Sequence, residues 1–299
     1  MAISSAVLRC SIGVICYNEE QNIANLLDAL LAQKLERVEL SEIIVVSSAC
    51  TDGTDDIVQA YTQKDARIRL LTQSQREGKS SAINLFLEHA TCEILVVESG
   101  DTILAEDSLE KLIMVFVDYK VGAAGGRPMP LNAEQGFMGY AVHALWRMHH
   151  RMALLSPKLG EVIAFRKLMH KIPVHSAVDE ASIEAIIRAK RLRLRYVPDA
   201  LIYNKGPQNL ADFIKQRRRI YNGHLWLKDM ESYRVSSQDG AILASVLVQE
   251  LVNAPHKVHY LFLLLALEGY CRLLGALDYY VLRRNPYRWD IAQSTKKLV

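Results

Sequence analysis

The chain has 299 residues, half of them apolar and 23% charged, which is enough to bury a large core and excludes a disordered chain. The formal net charge of +3 is too small to predict a nucleic-acid partner, although basic clusters lie in the second half. The five cysteines include no C-x-x-C pair, and the N-terminal sequence lacks the layout of a signal peptide. These features predict reduced thiols and a domain that faces the cytoplasm.

Strand and helix signals alternate through the first half of the chain. Short apolar runs predict strands at 10–17, 42–48, 68–73 and 93–99, and helical spacing predicts helices at 18–33, 51–63 and 78–90. Continuous apolar strands separated by helices indicate a parallel sheet that is covered on both faces. Ligands bind at the carboxyl ends of such strands, so the polar residues that follow each strand are candidates for a site.

The pattern becomes mixed between residues 120 and 206. It predicts a strand and then a turn at 121–130, strands at 160–167 and 193–204, and helices at 136–155 and 179–190. We expect a mixed sheet that is completed by a second, smaller lobe.

The last sixty residues predict two apolar helices, at 241–254 and 258–282. The second is long enough to span a bilayer, but Glu268, Arg272 and Asp278 interrupt it and charges are costly at mid-membrane. Three interpretations stay open: a hairpin packed on the core, a hairpin lying at a membrane surface, and a true span. Packing against a second copy of the chain would also cover these helices.

Four stretches, in this order, resemble the family 2 glycosyltransferases: VICYNEEQNIANLLDALLAQ, EIIVVSSACTDGTDDIV, REGKSSAINLFLEHA and ILVVESGDTIL. Farther on, GEVIAFRK, VDEASIEA and QRRRI look like later family elements. The resemblance implies an α/β GT-A fold over residues 1–230, with a nucleotide-sugar half to about residue 105 and an acceptor half after it. Outside the resemblance, we expect residues 231–299 to form a C-terminal apolar helical region that is membrane-associated or oligomerising.

The resemblance also implies a function. An inverting glycosyltransferase would move a sugar from a nucleotide-diphosphate donor to an acceptor hydroxyl or lipid phosphate. Its products would be glycolipids, lipid-linked saccharides or cell-surface polysaccharides. Separately, the C-terminal hairpin leads us to expect peripheral attachment to the inner face of the cell membrane. This chemistry requires cations that neutralise the departing diphosphate, a carboxylate that deprotonates the acceptor, and a platform that holds the nucleotide.

The candidate donor-binding residues follow strands or lie in the matched motifs. They are Tyr17, Asn18, Glu19, Ser47, Asp52, Arg76, Lys79, Ser99, Gln216 and Arg219. Asp52 has an equally simple interpretation as the cap of the helix that follows it. Family members often carry acidic residues at Ser47 and Ser48, so the base of the nucleotide is not predicted.

Asp101 matches the second aspartate of the family's Asp-x-Asp metal motif, whereas Ser99 stands in place of the first. Glu98 cannot replace the missing aspartate, because side chains alternate along a strand. One carboxylate, diphosphate oxygens and water can hold Mg²⁺ or Mn²⁺, so we predict a metal site with one protein ligand. The alternative is a polar strand end without a metal.

Asp179 is the predicted catalytic base and Glu180 is its alternative, since the family carries an acidic pair at this helix start. Either residue could instead cap the helix. In QRRRI, Gln216 and Arg219 match a motif of processive members, but Ile220 replaces its tryptophan, which disfavours processive synthesis.

Two other functions stay open at this point. A nucleotidyltransferase on a similar sheet would release pyrophosphate. A degenerate nucleotide-binding scaffold would bind nucleotide without metal dependence or turnover, and the missing aspartate and tryptophan favour it.

Overall fold

A mixed sheet of eight strands forms the centre of the structure, in the order β3-β2-β1-β4-β7-β6-β8-β5. The strands are β1 (Leu8–Cys16), β2 (Val38–Ser48), β3 (Ile68–Gln73), β4 (Ile94–Ser99), β5 (Thr102–Leu104), β6 (Val121–Pro130), β7 (Ile163–Arg166) and β8 (Arg193–Asn204). The computed structural model describes residues 7–231, 233, 235, 239–288 and 293–298. Four neighbouring pairs are parallel and three are antiparallel, which confirms a mixed and mostly parallel sheet.

Nine α-helices surround the sheet in the described part of the chain. They are α1 (Ile23–Leu31), α2 (Thr54–Lys64), α3 (Lys79–His89), α4 (Ser108–Met114), α5 (Gly136–Leu155), α6 (Asp179–Ala189), α7 (Leu210–Glu231), α8 (Gly240–Asn253) and α9 (Val258–Tyr280). The pattern alone had not predicted α4 or α7. Helix α4 has an apolar stripe of Leu109, Leu112 and Ile113 but is only seven residues long, and α7 mixes charged and apolar residues.

The apolar strands are buried because helices cover both faces of the sheet. Along β4, Val96 packs into one core cluster with Leu26 of α1, whereas Val97 packs into another with Phe86 of α3. Successive side chains of a strand point to opposite faces, so a continuous apolar run is needed to fill both cores. This arrangement leaves the carboxyl ends of β1, β2 and β4 at one edge of the sheet.

Two predicted boundaries were wrong for local reasons. Helix α1 begins at Ile23 rather than at Asn18, because Asn18 has a φ of +54° and starts a turn instead. Strand β6 runs to Pro130 with no turn, because it pairs with β8 as far as Asn204.

Helices α8 and α9 pack one face against α5 and α7. The shared cluster includes Tyr140, Phe213, Val246 and Leu264. The opposite face stays exposed and apolar; its large exposed residues include Val248, Val252, Phe262, Leu263, Tyr270, Leu273 and Tyr280. The stretch Pro255–Tyr280 is long and apolar enough to cross a membrane by length and composition, and only 22% of its most apolar window is buried. The boundary predicted at residue 231 stays a prediction.

Candidate active site

A cavity of about 1390 Å³ lies where β1 and β4 end, and it extends under α7 and α9. Ten of the thirteen predicted site residues line it: Tyr17, Glu19, Arg76, Lys79, Ser99, Asp101, Asp179, Glu180, Gln216 and Arg219. The fold therefore brings together motifs that are about 200 residues apart in the chain, from Tyr17 to Arg219.

Three predicted donor-binding residues do not line this cavity. The Asn18 side chain accepts a hydrogen bond from Thr51 N at 2.8 Å and so joins two loops. Ser47 is fully buried. Asp52 accepts a hydrogen bond from Thr54 N at 3.1 Å, which fits the capping interpretation. Partial burial would raise the pKa of its carboxyl, but hydrogen bonds from Thr54 and Glu20 hold that pKa below the usual range.

The end of β4 presents Ser99 and Asp101 to the cavity, but not Glu98. Glu98 is fully buried, and burial raises its pKa to about 8, although Thr102 Oγ1 donates a hydrogen bond to it at 3.2 Å. The alternation of side chains along the strand predicts this separation.

Asp101 lies within electrostatic range of two other carboxylates, those of Glu19 and Glu161. Within the described residues its side chain makes no hydrogen bond or ion pair, so its oxygens are free to bind a ligand. Its charge adds to the burial that raises the pKa of Glu19 and of Glu161, each to about 7. These oxygens fit a divalent cation, which prefers carboxylate ligands. The described residues contain no group of three or more metal-ligating side chains, so a bound cation would need oxygens from the donor.

The candidate base is part of a charged group of three residues. Lys79 Nζ lies 3.0 Å from Asp179 Oδ2 and 3.0 Å from Glu180 Oε1. Burial, with Glu180 beside it, raises the pKa of Asp179. Burial acts in the same direction on Glu180, but there the charge of Lys79 prevails and lowers the pKa. A raised pKa suits Asp179 to accept a proton at neutral pH.

The start of α3 approaches another backbone closely. Gly78 has a φ of +98°, and a Cβ on it would lie 2.8 Å from the carbonyl oxygen of Tyr287. Glycine avoids both the strain and the clash. Nearby, the guanidinium of Arg76 stacks over the ring of Tyr17, 4.1 Å from its centroid.

The three consecutive arginines of α7 have different partners. Arg217 and Arg218 bind Glu268 and Asp278 of α9, whereas Arg219 lies among the carboxylates of the cavity. Helical residues turn by about 100° each, so neighbours cannot face the same way. All three arginines line the cavity, and Arg219 is the one that lies within electrostatic range of Asp101.

Sequence reasoning missed several residues of the cavity. Lys296 donates hydrogen bonds to Glu19 and, at 2.9 Å, to the carbonyl oxygen of Tyr17. Glu161 accepts a bond from Asn204 Nδ2 at 3.2 Å. Lys158 also lines the cavity. Glu161 lies in the strand predicted at 160–167, just before the observed start of β7 at Ile163, and the antiparallel pairing of β7 with β4 brings it to this edge.

Comparison with known proteins now places the chain. The sequence pattern described as Glycosyl transferase family 2 matches residues 11–186, so the chain belongs to this family. A poly-beta-1,6-N-acetyl-D-glucosamine synthase of Staphylococcus aureus is 25% identical over 223 residues, which cover 70% of this chain and 52% of that protein. The chain thus spans about half the length of the curated relatives that it matches.

Solved structures support the same fold. A mannosyltransferase from Pyrobaculum calidifontis, in complex with GDP-Man and Mn²⁺, superposes with a TM-score of 0.65 at 20% identity, covering 92% of this chain and 88% of that one. A glucosyl-3-phosphoglycerate synthase from Mycobacterium tuberculosis, with Mn²⁺, UDP and phosphoglyceric acid, superposes with a TM-score of 0.54 at 18% identity. It covers 73% of this chain and 78% of that one. The α/β GT-A fold is thereby confirmed.

Proposed function

We propose that this chain transfers one sugar, with inversion, from a nucleotide-diphosphate donor to an acceptor. One observation carries the proposal: a single cavity joins Asp101, Arg219 and the Lys79–Asp179–Glu180 group at the carboxyl edge of the sheet. A carboxylate that binds a cation, an arginine for a diphosphate and a base with a raised pKa are the groups that this reaction needs.

In the proposed reaction an acceptor oxygen attacks the anomeric carbon from the face opposite the diphosphate. The bond from that carbon to the diphosphate oxygen breaks, and the nucleoside diphosphate leaves with the electron pair. Asp179 takes the proton of the acceptor hydroxyl. Lys79 holds Asp179 and Glu180 in place, and Arg219 stabilises the charge that develops on the diphosphate.

A divalent ion, Mg²⁺ or Mn²⁺, would be held by Asp101 and would neutralise diphosphate charge when it is bound. Ser99, at the same strand end, is placed to donate a hydrogen bond to the donor. Two solved relatives of the same fold are complexes with Mn²⁺, which supports this assignment.

We further propose that the chain works at the inner face of the membrane in the synthesis of cell-envelope saccharides. The exposed apolar face of α8 and α9 supports surface attachment, and so does the polysaccharide synthase named among the relatives. Tyrosines and arginines around α9, including Tyr270, Arg272 and Tyr280, suit an interface better than the interior of a bilayer.

Calorimetric titration of UDP, GDP, CDP and TDP, each with and without Mn²⁺, tests the donor site. We expect one nucleotide to bind at least tenfold more tightly with the metal, and Asp101→Ala to lose that gain. Asp199→Ala removes an exposed carboxylate outside the cavity and is the matched control. Asp179→Asn should keep nucleotide binding but lose turnover of the matching nucleotide sugar.

Other outcomes would select the other functions. Release of pyrophosphate instead of a nucleoside diphosphate would indicate a nucleotidyltransferase. Metal-independent nucleotide binding without turnover would indicate a scaffold. Near-normal turnover in Asp101→Ala or Asp179→Asn would remove that residue from the mechanism.

A further inference from the structure

A short segment beyond α9 reaches the cavity beside the end of β1. We define the strap as residues 293–298, which begin with one turn of 3₁₀ helix at Gln293–Thr295. Thr295 and Lys296 line the cavity. Thr295 and Leu298 are only 8% and 4% exposed, so the strap is packed into the domain.

Two polar side chains outside β1 hold the strap. Asp212 of α7 accepts hydrogen bonds from the backbone N of Ser294 at 3.1 Å and from its hydroxyl at 2.5 Å. Lys205, which follows β8, donates a hydrogen bond to the carbonyl oxygen of Lys297 at 2.6 Å. The strap is therefore anchored to α7 and to the end of β8, and its position does not depend on Lys296 alone.

The strap also binds polar groups at the end of β1. Lys296 Nζ donates hydrogen bonds to the carboxylate of Glu19 and, at 2.9 Å, to the carbonyl oxygen of Tyr17. The second carboxylate oxygen of Glu19 accepts a hydrogen bond from Asn22 at 3.0 Å, so each oxygen already has a donor. Asn22 also donates to the carbonyl oxygen of Lys296 at 2.5 Å and accepts from Leu298 N at 3.0 Å.

The ammonium of Lys296 stabilises a carboxylate that has little water around it. Glu19 is 4% exposed and lies within electrostatic range of Asp101, whose negative charge opposes its ionisation. A buried carboxylate without a counter-charge is costly, so Lys296 leaves at low cost only when another cation replaces its charge. A nucleotide diphosphate that binds together with the cation proposed at Asp101 meets this condition.

We propose that the strap is an autoinhibitory contact, which occupies Tyr17 and Glu19 in the free protein and is displaced when a nucleotide binds. This inference rests on the proposed function, because it takes the cavity as a nucleotide site. Tyr17 and Glu19 are among the predicted donor-binding residues, and the strap already uses hydrogen-bonding groups that they present. A ligand that competes with a seated segment binds more weakly, in proportion to the fraction of molecules whose site is open.

Hydrogen–deuterium exchange of the strap, followed by mass spectrometry, tests the displacement in the intact chain. The backbone amides of Ser294 and Leu298 are protected by hydrogen bonds to Asp212 and Asn22. We expect these amides to exchange about tenfold faster when the tightest-binding nucleotide among UDP, GDP, CDP and TDP is added with Mn²⁺.

Calorimetric titration with the same nucleotide tests the competition. Lys296→Met removes the bond to Glu19 and should bind the nucleotide about fivefold more tightly. Ser294→Ala loosens the strap at Asp212, away from Glu19, and should tighten binding about twofold. Lys297→Met is the matched control and should leave the affinity unchanged, because Lys297 is exposed and holds the strap through its backbone carbonyl.

Weaker nucleotide binding by Lys296→Met, or slower exchange of the strap when nucleotide is present, would place the strap in the bound site and overturn the proposal. Nucleotide binding that leaves the exchange of the strap unchanged would refute autoinhibition alone and leave the proposed function standing. Absence of nucleotide binding in both the intact chain and Lys296→Met would refute the proposed function together with this inference. Should Lys296→Met not fold, the exchange measurement on the intact chain still decides.

Discussion

Replacing Lys79 with methionine removes the cation that two neighbouring carboxylates share. In the native chain, Lys79 Nζ lies 3.0 Å from both Asp179 and Glu180, whose side chains are 4% and 29% exposed. Methionine keeps the length of the side chain and some of its apolar packing. The two carboxylates then lose their bound cation and keep only the more distant charge of Arg219, so one of them must take up a proton for the site to stay folded.

The size of the effect follows from that proton. Breaking a buried ion pair by removing one partner costs about 3–5 kcal/mol. Protonating a carboxyl of ordinary pKa, about 4, costs about 5 kcal/mol at pH 7.5 and about 1.4 kcal/mol at pH 5, since each pH unit is worth about 1.4 kcal/mol. We therefore expect Lys79→Met to lose about 4 kcal/mol of unfolding free energy at pH 7.5, and less than half of that at pH 5.

Urea unfolding followed by circular dichroism at the two pH values measures this loss. Adding Glu180→Gln to Lys79→Met removes one of the unpaired charges and should recover about 1.5 kcal/mol or more at pH 7.5. Lys190→Met, at an exposed position, should change stability by about 0.5 kcal/mol or less. A loss below about 1 kcal/mol in Lys79→Met, or a loss that does not shrink at pH 5, would refute the reasoning.

Three further predictions concern stability and location. Glu98 has a pKa raised to about 8, so its contribution to stability is complete below its unfolded pKa of about 4.5 and is lost as the pH rises through 8. At pH 7 Glu98→Gln should therefore raise the free energy of unfolding in urea by about 3 kcal/mol. No gain would contradict the burial of Glu98 as a neutral acid. Arg218→Met breaks the partly buried ion pair with Asp278 of α9 and should lower the free energy of unfolding by about 3 kcal/mol. Arg272→Met removes only a 4.0 Å contact with Glu268 and should lower it by about 0.5 kcal/mol or less. Equal losses in the two variants would contradict the difference between these ion pairs. Phe262→Asp should reduce cosedimentation with anionic vesicles, while Tyr119→Asp, 75% exposed and outside α8 and α9, should not; equal sedimentation of the two would refute surface attachment.

Local pattern was sufficient to predict the order of the strands and helices from β1 to β4. The buried strands and the helices between them follow from apolar runs and helical spacing, and strand β3 was predicted with its observed bounds of Ile68–Gln73. Parallel pairing then placed Ser99 and Asp101 at the ligand-binding edge. Asp52 illustrates a limit of this reasoning, since an aspartate before a helix can cap it or face a ligand, and only the observed bonds to Thr54 and Glu20 distinguish the two roles.

The rest of the site depends on contacts that no local pattern encodes. Lys79 meets Glu180 across 101 positions of the chain, and Lys296 meets Glu19 across 277. The directions of the α7 arginines could have been deduced from helical geometry had that helix been predicted. Glu161 needed the antiparallel register of β7, which depends on how the whole sheet is ordered.

The C-terminal segment returns to the cavity at the carboxyl edge of the sheet. This has a practical consequence for protein engineering. Beyond α9, Tyr287 covers Gly78, and Lys296 binds Glu19 while Asn22 hydrogen-bonds to the backbone of residues 296 and 298. Truncating the chain before α8 to make it easier to handle in solution would therefore also remove contacts to the proposed nucleotide site. A well-behaved soluble form that keeps its chemistry should be sought by polar substitution on the exposed face of α9, with the full length of the chain retained.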